Sequence, residues 1–270
     1  MRYTKMHGSG NSFILMDALH GELQGEDPSD LALRLCDGRS GPGADGLILL
    51  IPAEREADFG MLFYNSDGSL GEMCGNGARC AARYGVEHGL VGDDQDIRIR
   101  ATAGLVNARR LTEERYQVRL NNPSLLDLRR LVIVDGQCWP CVYTELGDPG
   151  IPHAVSEVPL RAFEDLPRLR ETGRALRMSP AFPRGANVSF VCLTGPNEVR
   201  AITYERGVED FTLACGTGCG AIALALILTG RVTGEQVTVH MPGGQLQVRL
   251  KREGSRVREL LLTGPTAYSL

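Results

Sequence analysis

A chain of 270 residues suffices for one large domain or two modest ones, with a core that hides about three quarters of its unfolded surface. Its formal charge of −4 offers no global attraction to nucleic acid or an anionic membrane, and 8 cysteines are too few for a small disulfide scaffold. The longest purely apolar run, 221–228, falls short of the ~18 residues of a membrane span, and Met1 to Gly8 hold no apolar signal region, so the expectation is a soluble, cytoplasmic protein with reduced thiols.

In chain order, a surface helix is expected over 28–37, followed by strands at 47–51 and 59–64, short apolar runs between turn residues. Residues 41–46 spell G-x-G-x-x-G, but they precede a strand rather than a helix, so the dinucleotide-binding reading fails its own context. A helix over 75–88 ends at Gly89, suited to the left-handed C′ position. Alternating residues predict half-buried strands at 96–100 and 116–120, and Asn121-Asn122-Pro123 marks a seam. Further strands follow at 131–134, 188–193 and 199–204. A second helix, 216–229, is apolar nearly all round and therefore enclosed, and it closes at Gly230; a last alternating strand spans 246–250.

These elements repeat. Tyr64 and Tyr204 lie 140 residues apart, and Cys74-Gly75-Asn76-Gly77 and Cys215-Gly216-Thr217-Gly218 lie 141 apart. Each cysteine stands 15 residues before its closing glycine, and Gly43-Ala44-Asp45 matches Gly185-Ala186-Asn187 at an offset of 142. The expected architecture is α/β (α+β): two pseudo-symmetric domains, each a strand-rich, barrel-like shell around a central helix. Residues 1–121 form the first, with 264–270 returning to it, and 122–263 form the second, with the active site in the cleft between them.

Cys74 and Cys215 each precede a helix, where unpaired N–H groups and the helix dipole favour negative charge and lower a thiol pKa from about 8.5 into the range of ~3.5–7.5. Two such thiols facing one pocket suit the inversion of a stereocentre, a thiolate removing a proton from one face while a thiol returns one to the other. The helix N-termini would hold the oxygens of a carboxylate whose charge grows as the proton leaves. A lone cysteine before a helix is ordinarily a small buried hydrophobe; the duplication argues otherwise. Zinc held by Cys74, Cys80, Cys215 and Cys219 is disfavoured by the C-x5-C and C-x3-C spacings, so no metal is expected. Cys138-Trp139-Pro140-Cys141 lacks the strand-to-helix context of a redox motif and reads as structural. The only lysines are Lys5 and Lys251, neither beside a glycine-rich or polar cluster, so pyridoxal phosphate is not expected, nor any other cofactor.

Met6-His7-Gly8-Ser9-Gly10-Asn11, Tyr64-Asn65-Ser66-Asp67-Gly68-Ser69, Met73-Cys74-Gly75-Asn76-Gly77-Ala78-Arg79-Cys80, Tyr204-Glu205-Arg206-Gly207 and Ala214-Cys215-Gly216-Thr217-Gly218 together resemble the diaminopimelate epimerase family, over essentially the whole chain. The resemblance implies cofactor-independent interconversion of LL- and meso-diaminopimelate in lysine and peptidoglycan-precursor synthesis, by a homodimer. It makes Cys74 and Cys215 the acid–base pair, assisted by His153 and Glu205. It assigns Gly75, Asn76, Gly216 and Thr217 to the reacting carboxylate and Asn11, Asn65, Asn187, Glu205 and Arg206 to the rest of the substrate. Two positions depart from the family pattern: Ile151 stands where many members carry asparagine, and Gly46 where many carry a contacting glutamine. The apolar Ile151 keeps open a racemase of another amino acid, such as histidine. A redox-responsive binding protein without catalysis is the rival of another class.

Overall fold

The computed structural model describes residues 2–21, 23, 25–53, 56–71, 73–92, 96–254 and 256–269. Contacts divide the chain into two units: 1–119 with 263–270, and 120–262. The fold is mixed α/β and strand-rich, and each unit runs through the same succession of elements.

In the first unit, β1 (Thr4–Gly8) and β2 (Asn11–Asp17) form a hairpin whose two turn residues, Ser9 and Gly10, both have positive φ (53° and 88°). That is the mirror-image turn whose twist matches paired strands. α1 (Pro28–Cys36) follows, with Pro28 in its first turn and Asp27 capping the amides of Ser29 and Asp30. The chain then enters β3 (Gly46–Ile51), parallel to β2, and β4 (Phe59–Asn65), antiparallel to β3. After the short β5 (Leu70–Gly71) comes α2 (Gly75–Glu87), the helix inside the shell. β6 (Asp96–Ala101), parallel to β4, then leads to β7 (Gly104–Arg110) and β8 (Arg115–Leu120). β3 is buried on both faces: Leu47 and Leu49 pack with Leu31, Ala32 and Cys36 of α1, while Ile48 reaches Gly77 of α2.

The second unit repeats this order. β9 (Pro123–Val134) and β10 (Gln137–Gly147) lead to β11 (Gly150–Glu157), and α3 (Leu166–Arg177) connects to β12 (Asn187–Gly195), parallel to β11. β13 (Glu198–Glu205), β14 (Asp210–Thr212) and the enclosed helix α4 (Gly216–Leu228) follow, then β15 (Gln236–Met241), parallel to β13, and β16 (Gly244–Glu253). β17 (Arg256–Pro265) carries the chain to β18 (Ala267–Tyr268), which pairs with β1 as β9 pairs with β10. The expected surface helix at 28–37 is thus no addition to the repeat: α1 and α3 are equivalent crossovers between parallel strands. α3 escapes a sequence reading because 166–177 is largely polar and is interrupted by Gly173, whose bare face lets Tyr204 and Phe190 approach.

α2 and α4 are each 13 residues long, and Gly89 and Gly230 both take φ +71° behind them, the left-handed exit that the spacing predicts. Ile222, Leu224, Leu226 and Ile227 of α4 are almost fully buried, each contributing about 1.5–3 kcal/mol through lost water contact. That burial fixes where the helix begins, and so where Cys215 sits. On β10, Cys138 is exposed and Cys141 buried; three residues apart on a strand they project to opposite faces, in keeping with a structural role.

Candidate active site

Cys74 occupies the N-cap of α2 with extended backbone (φ −131°, ψ 110°), and its Sγ accepts a hydrogen bond from the Gly77 amide at 3.4 Å. A Cβ at Gly77 would lie 2.9 Å from Ile48 and 3.7 Å from Cys74 Sγ, so the bare glycine keeps that amide open to the sulfur. Behind the cysteine, buried Asn76 donates through Nδ2 to Asn11 Oδ1 at 2.7 Å, joining two of the expected substrate contacts directly. Gly75 is half-buried in the first turn of the helix. Asn65 ends β4 and donates to Ser69 Oγ at 2.9 Å, which ties it into the turn formed by 65–69.

The second unit repeats the cysteine geometry with different surroundings. Cys215 caps α4 with φ −115° and ψ 107°, and its Sγ accepts from the Gly218 amide at 3.4 Å. The hydroxyl of Thr217 lies 3.7 Å away, and half-buried Gly216 fills the step between them. The carboxyl of Glu205 accepts from Thr212 Oγ1 and stands within hydrogen-bonding reach of the Cys215 thiol. Asn187 Oδ1 accepts the Arg206 amide at 2.9 Å while its Nδ2 donates to Pro152 O at 3.1 Å. The exposed Arg206 guanidinium donates to Arg184 O at 3.0 Å. His153 faces Asn187 across the β11–β12 ladder. It is wholly buried, and neither ring nitrogen has a hydrogen-bond partner among the described residues. His153, Asn187, Glu205, Arg206, Cys215, Gly216 and Thr217 therefore form one group within the second unit. Asn11, Asn65, Gly75, Asn76 and Cys74 all belong to the first.

The electrostatics correct one expectation. Cys215, at a helix start, is not a lowered thiol: burial and the neighbouring Glu205 charge push its pKa well above the ordinary value, against the opposing pull of the Gly218 amide and Thr217 hydroxyl. Two hydrogen bonds and a dipole do not outweigh full desolvation plus a nearby anion. Glu205 is itself pushed upward by burial, opposed by its bonds from Thr212 and Cys215. Burial, with the Arg206 charge nearby, drops His153 to about 3, so its imidazole is neutral at any ordinary pH. Cys80, six residues beyond Cys74 on the same helix, is raised to about 12 by burial and stays a thiol.

Gly46 has a structural reason. A Cβ there would meet Phe63 Cε2 at 2.4 Å and the Tyr64 carbonyl oxygen at 2.7 Å, and one at Gly71 would meet the same ring at 2.5 Å. The Phe63 ring, edge-on to Phe13 at 6.1 Å, lies against the position where a glutamine side chain would have to begin. Half-buried Ile151, the second residue of β11, stands opposite Leu146. Phe63, Thr212 and the buried Arg79 carry no sequence signal of their own; their nearness in space to Gly46, to Glu205 and to the first turn of α2 reveals them. Among the described residues no three His, Cys, Asp or Glu side chains are placed to hold a metal ion, and no helix is long and apolar enough to cross a membrane.

The doubled shell has structural counterparts. A Bacillus anthracis phenazine biosynthesis protein of the PhzF family superimposes with a TM-score of 0.71 at 14% identity, covering 99% of this chain and 97% of its own. A hydroxyproline epimerase from Agrobacterium vitis gives 0.67 at 19% identity, covering 99% and 90%. The chain thus has the fold shared by these proteins and a probable proline racemase from Agrobacterium radiobacter (TM-score 0.67, 18% identity). The family profile described as diaminopimelate epimerase matches residues 3–126 and 147–268, and the chain belongs to that family. Diaminopimelate epimerases from Moorella thermoacetica and Aquifex aeolicus are 36% and 38% identical to it. Each alignment takes in 98% of this chain, with 96% and 94% of the relatives; one from Desulforudis audaxviator is 40% identical over 92% and 91%.

Proposed function

We propose that this protein interconverts LL- and meso-diaminopimelate in lysine biosynthesis, using Cys74 and Cys215 as a thiolate–thiol pair with no cofactor. The observation that carries the reading is the duplicated helix start: in each unit a cysteine sulfur sits on the first-turn amides of a buried helix. Membership of the diaminopimelate epimerase family supports the substrate. In this reading one cysteine removes the α-proton as a thiolate while the other delivers a proton to the opposite face, and the reverse reaction exchanges the roles. The amides of Gly75, Asn76, Gly216 and Thr217 hold the reacting carboxylate, where charge builds as the proton leaves. Glu205, against Cys215, takes that thiol's proton when Cys215 must act as the base. His153, buried in the same unit as Cys215, assists as a neutral imidazole. Asn11, Asn65, Asn187 and Arg206 hold the ammonium groups and the distal carboxylate, Arg206 through its planar fork. The enzyme works in the cytoplasm as a homodimer, which sedimentation over a concentration series would check.

Proton NMR of LL-diaminopimelate with the reduced protein in D2O tests the reading. Loss of the α-proton signal with growth of the meso isomer is expected, and Cys74→Ala or Cys215→Ala should each abolish both while leaving the fold intact. No exchange with fully reduced thiols would remove diaminopimelate as substrate, and near-normal turnover in either variant would remove the two-thiol mechanism.

A further inference from the structure

Arg79 is fully buried on α2, five residues beyond Cys74. Its guanidinium donates to Ser9 Oγ at 2.8 Å, to Asn76 Oδ1 at 2.9 Å and to the Gly75 carbonyl at 3.2 Å. These acceptors lie on the two segments around Cys74: the β1–β2 turn and the first turn of α2. Asn76 then passes the constraint on, its Nδ2 meeting Asn11 Oδ1 at 2.7 Å. Ser9 holds a left-handed backbone (φ 53°) that its side chain disfavours, and a hydroxyl bonded to a buried guanidinium is a reason for serine to stand there. Ser9, Arg79, Asn76 and Asn11 are therefore one connected lattice, in which a flat, multidentate cation sets the aim of two amide side chains.

The same place in the second unit is different. The residue 141 positions on is Gly220, where a Cβ would meet Leu120 at 2.8 Å and Leu260 at 2.9 Å, with no room for a long side chain. The ionisable neighbour there is instead the carboxyl of Glu205 beside Cys215. The duplicated fold thus places a buried cation against the first turn of the helix that Cys74 caps, and a carboxyl beside Cys215.

Building on the proposed epimerase reading, we propose that Arg79 is a positioning residue for the Cys74 half of the site. It locks Asn11 and Asn76 into a rigid cradle, and its fixed charge favours the thiolate of Cys74. A positive charge close behind a thiol stabilises the anion, typically moving its titration by 1–3 units at about 4–6 Å. The same charge already opposes the burial that raises Cys80 on the same helix.

The test separates the two roles. Iodoacetamide alkylation of Cys74 is followed against pH by peptide mass spectrometry, and KM and kcat for LL-diaminopimelate are measured alongside, in Arg79→Gln, Arg79→Lys and Ser9→Gly. Arg79→Gln should move the Cys74 alkylation profile up by about one unit, roughly a ten-fold slowing at fixed pH below the midpoint, without moving that of Cys215. Arg79→Lys keeps the charge and loses the fork, so the profile should stay while KM rises several-fold. Ser9→Gly removes only the hydroxyl from a turn that suits glycine and should act like Arg79→Lys, more weakly. An unmoved Cys74 profile in Arg79→Gln overturns the charge role, and unmoved KM in both other variants overturns the positioning role. If the native protein does not turn over diaminopimelate, that reading fails by itself, while the alkylation profile still decides what Arg79 does to Cys74. Should Arg79→Gln fail to fold, the charge role is decided by the native Cys74 profile: one resembling an ordinary thiol, rising only near pH 8.5, overturns it.

Discussion

Acidification should weaken the second unit through His153 before any carboxylate network fails. The imidazole is completely buried, without a hydrogen-bond partner on either nitrogen among the described residues, and is held at about 3 against 6.5 for an unperturbed histidine. Because the folded value is depressed, the unfolded chain binds this proton as pH falls through 6.5 while the folded chain refuses it. Stability is therefore lost between pH 6.5 and about 3 and is unaffected above that window. The full gap of about 3.5 units corresponds to roughly 5 kcal/mol, of which about 2 kcal/mol is lost between pH 7.5 and pH 5. Trp139, the single tryptophan, packs against the core of the same unit and reports its unfolding. With a urea slope of about 2 kcal/mol per molar, the fluorescence midpoint should fall by about 1 M between those pH values. The control is His153→Phe, since Phe13 lies 140 residues earlier at the equivalent place on β2. That variant should lose distinctly less stability than the native protein over the same interval. Equal losses in the two proteins would refute a buried, neutral His153.

Glu205→Gln removes the anion that helps push the Cys215 thiol up, so alkylation of Cys215 should begin at lower pH, by about one unit or more, while turnover drops at least ten-fold as its proton acceptor is lost; site-resolved mass spectrometry and the NMR exchange assay read the two effects. Gly46→Ala drives a methyl into the Phe63 ring and the Tyr64 carbonyl, and thermal or urea denaturation should show a loss of about 1–3 kcal/mol, partly recovered when Phe63→Leu is added. Cys138→Ser should leave epimerisation unchanged, because that thiol is exposed on β10. In the native protein below pH 9, Cys36, Cys80 and Cys141 should stay unlabelled by a thiol reagent, since burial raises their thiols to about 11, 12 and 11.

The doubled fold and its two cysteines could be read from the sequence because their signals are local: a cysteine, two glycines, a 13-residue helix and a left-handed glycine recur at a fixed offset. α3 could not, because its apolar stripe is narrow and its role as a crossover depends on β11 and β12 pairing in parallel, a contact that local periodicity does not encode. The raised thiol of Cys215 is hidden from the sequence for a related reason. A helix start is visible in sequence, whereas the depth of burial and the approach of Glu205 from β13 are tertiary facts, and here they outweigh the local dipole. Gly46 likewise reads as a missing contact in sequence, whereas in the fold the Phe63 ring lies against it.

Setting the two units against each other by their own offset shows what duplication left free to change. Phe13 corresponds to His153, Asn65 to Glu205, Asn11 to Ile151 and Arg79 to Gly220, while Cys74 and Cys215 remain alike; the strand register equates Gly46 with Asn187, one residue off the Asp45 match that the sequence suggests. Backbone pairing is retained at these places: β2 runs parallel to β3 through Phe13 and Gly46, as β11 runs parallel to β12 through His153 and Asn187. In the first unit the ground equivalent to the histidine and asparagine is filled by the Phe13–Phe63 edge contact and carries no hydrogen-bonding side chain. The proposed reaction at a stereocentre asks for matching thiols, and each unit of the repeat carries one at its helix start. A substrate whose two ends differ in role asks for unlike surroundings, and these arise by exchanging side chains at fixed register positions while both helix starts stay where the shells hold them. The buried Arg79 on α2 and the carboxyl of Glu205 beside Cys215 follow the same logic, giving two identical cysteines unlike electrostatic surroundings.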